Sequence, residues 1–433
     1  MGIVFVHVSD IHFGQEKGGQ SAVDGDVKNN IIEDCRKIFL GFAPDRIGGV
    51  IATGDIAFGG KKDQYDQAGL FLDALTEAIG TNRTSVFIVP GNHDIDRAKI
   101  SLGCDEMLDK IAAEGDKKLD AYLLHDADRA HLLERFEAYA LFAHAYDCPL
   151  DDVGGLAGDH VRRVSQDKSL RFVGLNSALI CGLKDKKGEL LLGKRQRTLP
   201  MKRDGEELVV LLHHPLEWAS DSSKASPYFE SRARVVISGH EHAASARVVP
   251  STDGLEILMI SAGATIPPES EGQRYCYNII EFDWDAEQSK LVVKVTPRQW
   301  SEKTTCFVPG TEELGGVETT YRLACAGTKV VQLDSPSPND ASPEVEVIDE
   351  EPMVTTSPTD EDKAYSLLVL RFFRDLTSAT RVSVLSSLRI LPENWNGPLT
   401  HGMERMCLDR ARKEGRIHEL KVAIDAATNE KEE

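Results

Sequence analysis

Nowhere in the 433 residues is there a run approaching ~18 consecutive apolar side chains, so no membrane-spanning helix is expected. A secretory leader is not expected either. Met1-Gly2 leads directly into Ile3-Val4-Phe5-Val6-His7-Val8, without a basic stretch or a small-residue cleavage site. Position 6 is Val rather than Ser or Thr, which argues against myristoylation of the Met-Gly start. The eight cysteines (Cys35, Cys104, Cys148, Cys181, Cys276, Cys306, Cys325, Cys407) stand singly, and the absence of any Cys-x-x-Cys pair excludes a zinc ribbon or dithiol redox motif. Isolated thiols suit a reducing compartment, and a cytoplasmic location is expected. No internal repeat is visible.

What is present is an ordinary globular composition, 41 % hydrophobic and 28 % charged, long enough for two or three domains. The net charge of −20 is unevenly spread. Residues 334–363 carry ten acidic side chains against one basic, residues 364–433 carry ten against eleven, and residues 1–333 carry the remaining −12. Asp334 to Lys363 is rich in Ser-Pro, Asp and Glu and nearly devoid of large apolar residues. It cannot bury enough surface to offset its ordering entropy and reads as a disordered acidic linker. The domain boundaries predicted are therefore 1–333, 334–363 and 364–433.

Before the linker, short apolar runs end again and again in Gly, Asp, Asn or His: IVFVHVSD, GGVIATGD, SVFIVPGNHD, LRFVGLNSA, LVVLLHHP, ARVVISGHEH and LEILMISAG, followed by NIIEFDW and LVVKV. Their lengths and β-branched content predict strands buried on both faces, with helices between the early ones, hence an α/β domain. Residues 95–160 break the rhythm with a charged, Leu/Ala-rich insertion that predicts two or three helices placed to cap a site or build an interface. After the linker, apolar spacing with breaks at Pro392, Asn396-Gly397-Pro398 and Gly415 predicts a small helix bundle.

The chemistry-bearing residues sit where the strands stop: Asp10-Ile11-His12, Gly54-Asp55, Gly91-Asn92-His93-Asp94, His213-His214 and Gly239-His240-Glu241-His242. In an open α/β sheet, strand ends form the ligand crevice. Imidazoles with hard oxygen ligands and no thiolate suit Zn, Mn, Fe or Co. Asp10, His12, Asp55, Asn92, His213, His240 and His242 are seven ligands, too many for one tetrahedral ion and enough for two divalent ions sharing Asp55. Alternation within Asp10-x-His12 and His240-x-His242 is expected to bring each pair to one side of an extended segment. These five blocks resemble those of the calcineurin-like metallophosphoesterases, which implies that two ions so held lower the pKa of a shared water and offset charge on a phosphoryl group, so that a metal-bridging hydroxide attacks phosphorus. His93 is then free to protonate the leaving oxygen, with Asp94 either orienting it or capping the next helix.

In these five blocks, present in order over about residues 1–300, the chain resembles the calcineurin-like metallophosphoesterase superfamily. The resemblance implies a four-layer αββα sandwich. It also implies that Asp10, His12, Asp55 and His242 hold one ion and Asp55, Asn92, His213 and His240 the other, with His214 behind them or facing substrate. Gly-Asp-Ile-Ala-Phe-Gly-Gly and Pro-Gly-Asn-His-Asp lack the arginines of the protein phosphatase branch and look more like the class III phosphodiesterase and repair-nuclease branch. By the same likeness Asn176, at the end of Val173-Gly174-Leu175, is expected to face substrate. A nucleotide or nucleic-acid phosphodiester is the substrate implied. Arg162, Arg163, Lys184, Lys186, Lys187, Lys194, Arg195 and Arg197 make a locally basic stretch that is either a substrate path or a solvated face.

The tail segment from Met403 to Ile424, with its Glu-Gly-Arg turn, resembles the death-like, effector-associated adaptor domains of bacterial conflict systems. That likeness implies an effector of a defence or signalling system, tethered flexibly to a module that docks a protein partner. The competing expectation is a non-catalytic scaffold acting through the tail.

Overall fold

The computed structural model describes residues 2–15, 20–151, 155–250, 255–267, 274–287, 289–310, 319–325, 360–391 and 401–429. In chain order the elements are β1 (Ile3–Val8), α1 (Gln20–Phe39), β2 (Ile47–Ala52), α2 (Lys62–Ala78), β3 (Val86–Ile88), α3 (Leu102–Glu114), α4 (Asp116–Leu124), α5 (Asp126–Leu133), α6 (Glu137–Ala145), β4 (Leu156–Arg163) and β5 (Ser169–Leu175). There follow α7 (Gly193–Arg197), β6 (Glu206–Leu211), α8 (Ser222–Arg232), β7 (Ala233–Ser238), β8 (Ser245–Pro250), β9 (Glu256–Ser261), β10 (Cys276–Asp285), β11 (Lys290–Ser301), β12 (Cys306–Pro309) and β13 (Thr320–Ala324). The tail holds α9 (Asp360–Asp375), α10 (Ser378–Ser387), α11 (His401–Lys413) and α12 (Ile417–Asn429).

The strands form two mixed sheets. One runs β12-β11-β10-β1-β2-β3, with β13 also on β11; the other runs β4-β5-β6-β7-β9-β8. β1, β2 and β3 are parallel neighbours, as are β5, β6, β7 and β9, so the strand ends of interest lie at one edge of each sheet. Every residue of β1, β6 and β7 is buried, which is why these segments read as continuous apolar runs. The layer between the sheets is built on rings: Phe5 lies 5.0 Å from Phe172 and 6.0 Å from Phe282, centroid to centroid. Each such buried ring contributes roughly 1.5–3 kcal/mol. On the outer faces, α2 presents Tyr65, Ala68, Phe71, Leu72 and Leu75 at helical spacing to one sheet, and α8 covers the other with Ala225 and Phe229. This is the four-layer sandwich expected.

The insertion differs in detail from the expectation. It contains four α-helices, α3 to α6, and residues 156–163 are already strand β4. The helices are short, of 8 to 13 residues, so one apolar pattern concealed several breaks. Arg135, 1 % exposed, ties the insertion to the loop after β5 by donating to the carbonyls of Leu132, Leu179 and Cys181.

α6 also answers whether the insertion builds an interface, because α9 of the tail packs on it. Phe373 meets the His144 ring at 4.2 Å, and the apolar cluster runs without interruption from the insertion into α9–α12. A cavity of about 300 Å³ at this seam is lined by Tyr65, Phe142, Leu370 and Phe373. The tail thus has a defined seat, where a tether leaving its orientation free was expected. Most of the linker lies outside the described residues, but its last four positions, 360–363, begin α9. The breaks expected at Pro392 and Asn396-Gly397-Pro398 also lie outside them. Gly415, at φ +70°, separates α11 from α12 as predicted. Among the described residues no helix is long and apolar enough to cross a membrane.

Candidate metal centre

The two sheets each supply half of one cluster. From the β1, β2 and β3 ends come Asp10, His12, Asp55, Asn92 and His93; from the β6 and β7 ends come His213, His214, His240 and His242. Backbone hydrogen bonds lock the loops together: Asp10 N–H donates to Gly54 O (3.1 Å), His12 N–H to Asp55 O (3.0 Å), Gly239 N–H to His213 O (3.0 Å) and, from one sheet to the other, Thr265 N–H to Ser9 O (2.9 Å).

Asp55 lies at the middle. Its Oδ2 is 3.4 Å from His12 Nε2 on one side and 3.3 Å from His213 Nε2 on the other, while Oδ1 accepts the His93 amide (2.7 Å). Asp10 Oδ1 lies 3.2 Å from His242 Nε2, and His240 Nδ1 lies 3.2 Å from His213 Nε2. Four overlapping groups result, each with its ligand atoms within 4.8 Å of one another: Asp10–His12–His242, Asp10–Asp55–His213, His12–Asp55–His93 and His213–His214–His240.

The backbone that does this is not extended, contrary to expectation. Asp10 (φ 53°), His12 (51°), Asp55 (50°), His240 (68°) and His242 (53°) all occupy the left-handed region, which costs a residue with a Cβ about 1–2 kcal/mol. Each pair converges through left-handed residues rather than along a pleat. The glycines of the blocks have an equally local cause. A Cβ on Gly91 would fall 2.2 Å from Asp55 Oδ1, and one on Gly239 would fall 1.9 Å from Ser9 Oγ and 3.0 Å from Asp10 Oδ2.

The electrostatics are those of a site built for cations. Asp10 and Asp55 are at most 2 % exposed, and no lysine or arginine among the described residues pairs with either. Burial by itself would raise the Asp10 carboxyl, yet His242 and His213 beside it hold it down to about 2. Asp55 is likewise held well below the carboxylate range, against burial, by His213 and His12. The complement is His213, which burial would lower but which Asp55 and Asp10 lift to about 9. Two ionised, fully buried carboxylates balanced only by imidazoles fit divalent ions held by Asp and His.

The remaining residues sort by what they touch. His93 Nδ1 donates to Phe58 O at 2.8 Å, which leaves Nε2 as its free nitrogen. Asp94 does not orient it. The Asp94 carboxylate accepts the amides of Ile56 (3.2 Å), Ala57 (2.9 Å) and Gly91 (2.9 Å) and the Tyr65 hydroxyl (3.0 Å), clamping the Asp55 loop to the Asn92 loop. It is not a helix cap either; the capping side chain before the turn that starts at Arg97 is Asp96. Burial, then Asp55, raises Asp94 to about 6. His214 is 1 % exposed and stands behind Asn92: Nε2 donates to Asn92 Oδ1 (3.1 Å), and Nδ1 accepts from Ser177 Oγ (2.9 Å). His214 thus lies behind Asn92, and its ring also belongs to the His213–His214–His240 group. Asn176, expected to face substrate, is wholly buried; its main chain pairs with Gln196 and its carboxamide makes no hydrogen bond. The next residue, Ser177, is the one that reaches the cluster, through His214.

At least half of the basic stretch is engaged by neighbouring side chains. Arg197 binds Asp116 and Asp221, Arg195 lies near Asp120, Lys186 pairs with Glu189, and Arg162 covers Phe87. Sequence reasoning missed Phe58, Tyr65, Ser177 and Trp218, none of which sits in a ligand block.

The profile of the calcineurin-like phosphoesterase family matches residues 3–244, and the GTPase-associated adaptor domain matches residues 364–426. The chain belongs to the calcineurin-like phosphoesterase family. It is 24 % identical over 324 residues to the uncharacterized metallophosphoesterase-like protein YydB of Bacillus subtilis, an alignment that covers 70 % of this chain and 62 % of that protein's length. Among solved structures, the yellow lupin purple acid phosphatase PPD1 aligns at 12 % identity with a TM-score of 0.36, covering 71 % of this chain and 53 % of its own. A phosphoesterase from Streptococcus pneumoniae TIGR4, described as predicted, aligns at 11 % identity with a TM-score of 0.29, covering 74 % of this chain and 98 % of its own.

Proposed function

We propose that the protein is a dinuclear-metal phosphodiesterase acting on a nucleotide or nucleic acid. Asp10, His12, Asp55 and His242 hold one ion, and Asp55, Asn92, His213 and His240 the other. The observation that carries this reading is the position of Asp55 Oδ2, 3.4 Å from His12 Nε2 and 3.3 Å from His213 Nε2, a carboxylate oxygen shared between two imidazoles from opposite sheets. Bound there, divalent ions supply positive charge for the phosphoryl oxygens and a water of lowered pKa. His93, fixed at Nδ1 by the Phe58 carbonyl, has Nε2 left for the leaving oxygen, to which it gives a proton only as the imidazolium, a form that burial disfavours until the phosphodiester's negative charge lies beside it. Asp94 acts one step back, holding the loops that carry Asp55 and Asn92 in register. His214 and Ser177 orient the Asn92 carboxamide. Metal analysis of the purified protein, with turnover of bis-p-nitrophenyl phosphate, tests the reading; a metal-replete protein that leaves every phosphodiester intact overturns it.

We further infer three units: residues 1–333 as the phosphoesterase, 334–363 as the connection and 364–433 as a protein-docking module of a defence or signalling effector. The match of residues 364–426 to an adaptor domain supports the last. Co-purification with a companion protein encoded beside it, lost when the chain is cut at residue 333, is the expected result.

A further inference from the structure

Two aromatic side chains stand on opposite flanks of the cluster. The Phe58 ring stacks on His93 (5.1 Å between centroids, 23° between planes), lies 6.1 Å from His12 and remains 38 % exposed. On the other flank, Trp218 meets His240 edge-on at 4.1 Å and His214 at 5.6 Å. Its Nε1 donates to Glu241 Oε1 at 2.8 Å, which fixes the plane of the indole. Beside Glu241 lies a groove of about 270 Å³ lined by Lys187, Pro215, Glu217, Ser245 and Arg247. Its two cations are held by its own acids, Lys187 3.3 Å from Glu241 and Arg247 2.7 Å from Glu217.

Resting on the phosphodiesterase reading above, we propose that Phe58 and Trp218 are stacking platforms for the two nucleosides that flank the scissile phosphodiester. The substrate is then a linear, single-stranded oligonucleotide rather than a cyclic mononucleotide. The groove beyond Trp218 receives the next phosphate, which takes the place of Glu241 and Glu217 at Lys187 and Arg247. A cyclic nucleotide has one base and occupies one platform. A duplex has its base faces already stacked on each other. Stacking also supplies what charge does not, because residues 1–333 carry a net −12 and give a polyanion little long-range attraction. Aromatic stacking contributes about ten- to hundredfold in affinity per base and tolerates any sequence. In the reaction itself water forms the new P–O bond, the P–O bond to the leaving sugar breaks, and the leaving oxygen takes up a proton.

The test compares kcat/KM of the full-length, metal-replete protein for an adenosine trinucleotide, 3′,5′-cyclic AMP and methyl p-nitrophenyl phosphate. The trinucleotide is expected to exceed the cyclic ester at least tenfold. Phe58→Ala and Trp218→Ala are each expected to lower the ratio of trinucleotide to methyl ester about tenfold, with Trp218→Phe restoring most of the loss. Preference for the cyclic ester overturns the proposal, and so does an equal loss on both esters, which would mark the rings as structural. Hydrolysis of bis-p-nitrophenyl phosphate with an unmoved ratio sinks this inference alone; no hydrolysis of any diester sinks the parent reading with it.

Discussion

The sheet edge and the C-terminal bundle handle buried charge in opposite ways. In the bundle, Arg381 and Glu404 are 3 % and 2 % exposed and meet at 2.9 Å, and Arg371 reaches Asp425. At the sheet edge, Asp10 and Asp55 are as deeply buried, with histidines around them and, among the described residues, no guanidinium or ammonium paired with either. Burying an ion is tolerable when its partner is supplied. The bundle supplies the partner from its own sequence, whereas the edge is arranged to take it from solution. Backbone strain follows the same division. Five left-handed ligands crowd the edge, while the described part of the bundle has one left-handed residue with a Cβ, Arg389 after α10. A region that only has to fold relaxes its backbone; one that gathers buried acids and imidazoles into a single cluster holds it strained.

The contrast can be broken most severely at Asp55. Asp55→Asn removes the carboxylate common to both halves, and turnover of bis-p-nitrophenyl phosphate is expected to fall by at least about a thousandfold, with bound metal reduced in elemental analysis and the circular dichroism of the fold kept. Retained metal and turnover would dissolve the distinction between the two regions. His93→Ala sharpens it: a loss of about 10²–10⁴ in kcat is expected for a proton donor, here with full metal content. Glu404→Ala removes the carboxylate from the buried Arg381 guanidinium and is expected to cost about 3–5 kcal/mol in denaturant unfolding, while turnover per folded molecule stays within twofold.

The smallest effect is a pH dependence away from the ligands. Burial lowers His7 from 6.5 to about 3, and its ring bonds Thr53 Oγ1 at 2.9 Å. The unfolded chain therefore binds a proton at this position that the folded chain refuses. The stability contribution is complete above pH 6.5 and is lost as the pH falls towards 3, by up to about 1.4 kcal/mol per pH unit. His7→Gln is expected to flatten that slope in urea titrations between pH 7 and 5.

How much of this could be read in advance depended on how local the cause was. β1, β2, β3, β5, β6, β7 and β9 were legible because strands buried on both faces must be apolar throughout. β8, largely exposed along one edge, and β12, only four residues long, left no such signature. The clustered acids and histidines were legible because few side chains suit hard cations, and each stood at a strand end. Asp94 was legible as part of the site but not in its role, since the amides it clamps belong to a loop some 37 positions earlier. Asn176 was misjudged in favour of Ser177 because one residue of register at a strand end reverses the direction of a side chain.

Composition and order along the chain were enough to specify the kind of site: acids and imidazoles without thiolate, after strands, for hard divalent ions. Which groups face one another was left to folding. Phe58 beneath His93, Trp218 against His240, Ser177 behind His214 and α9 against α6 all join positions that lie far apart in the chain and are brought together by neighbouring strand-end loops or by helix packing. Contacts of that kind leave no periodic trace in either partner, because neither needs a particular neighbour along the chain, only a particular neighbour in space.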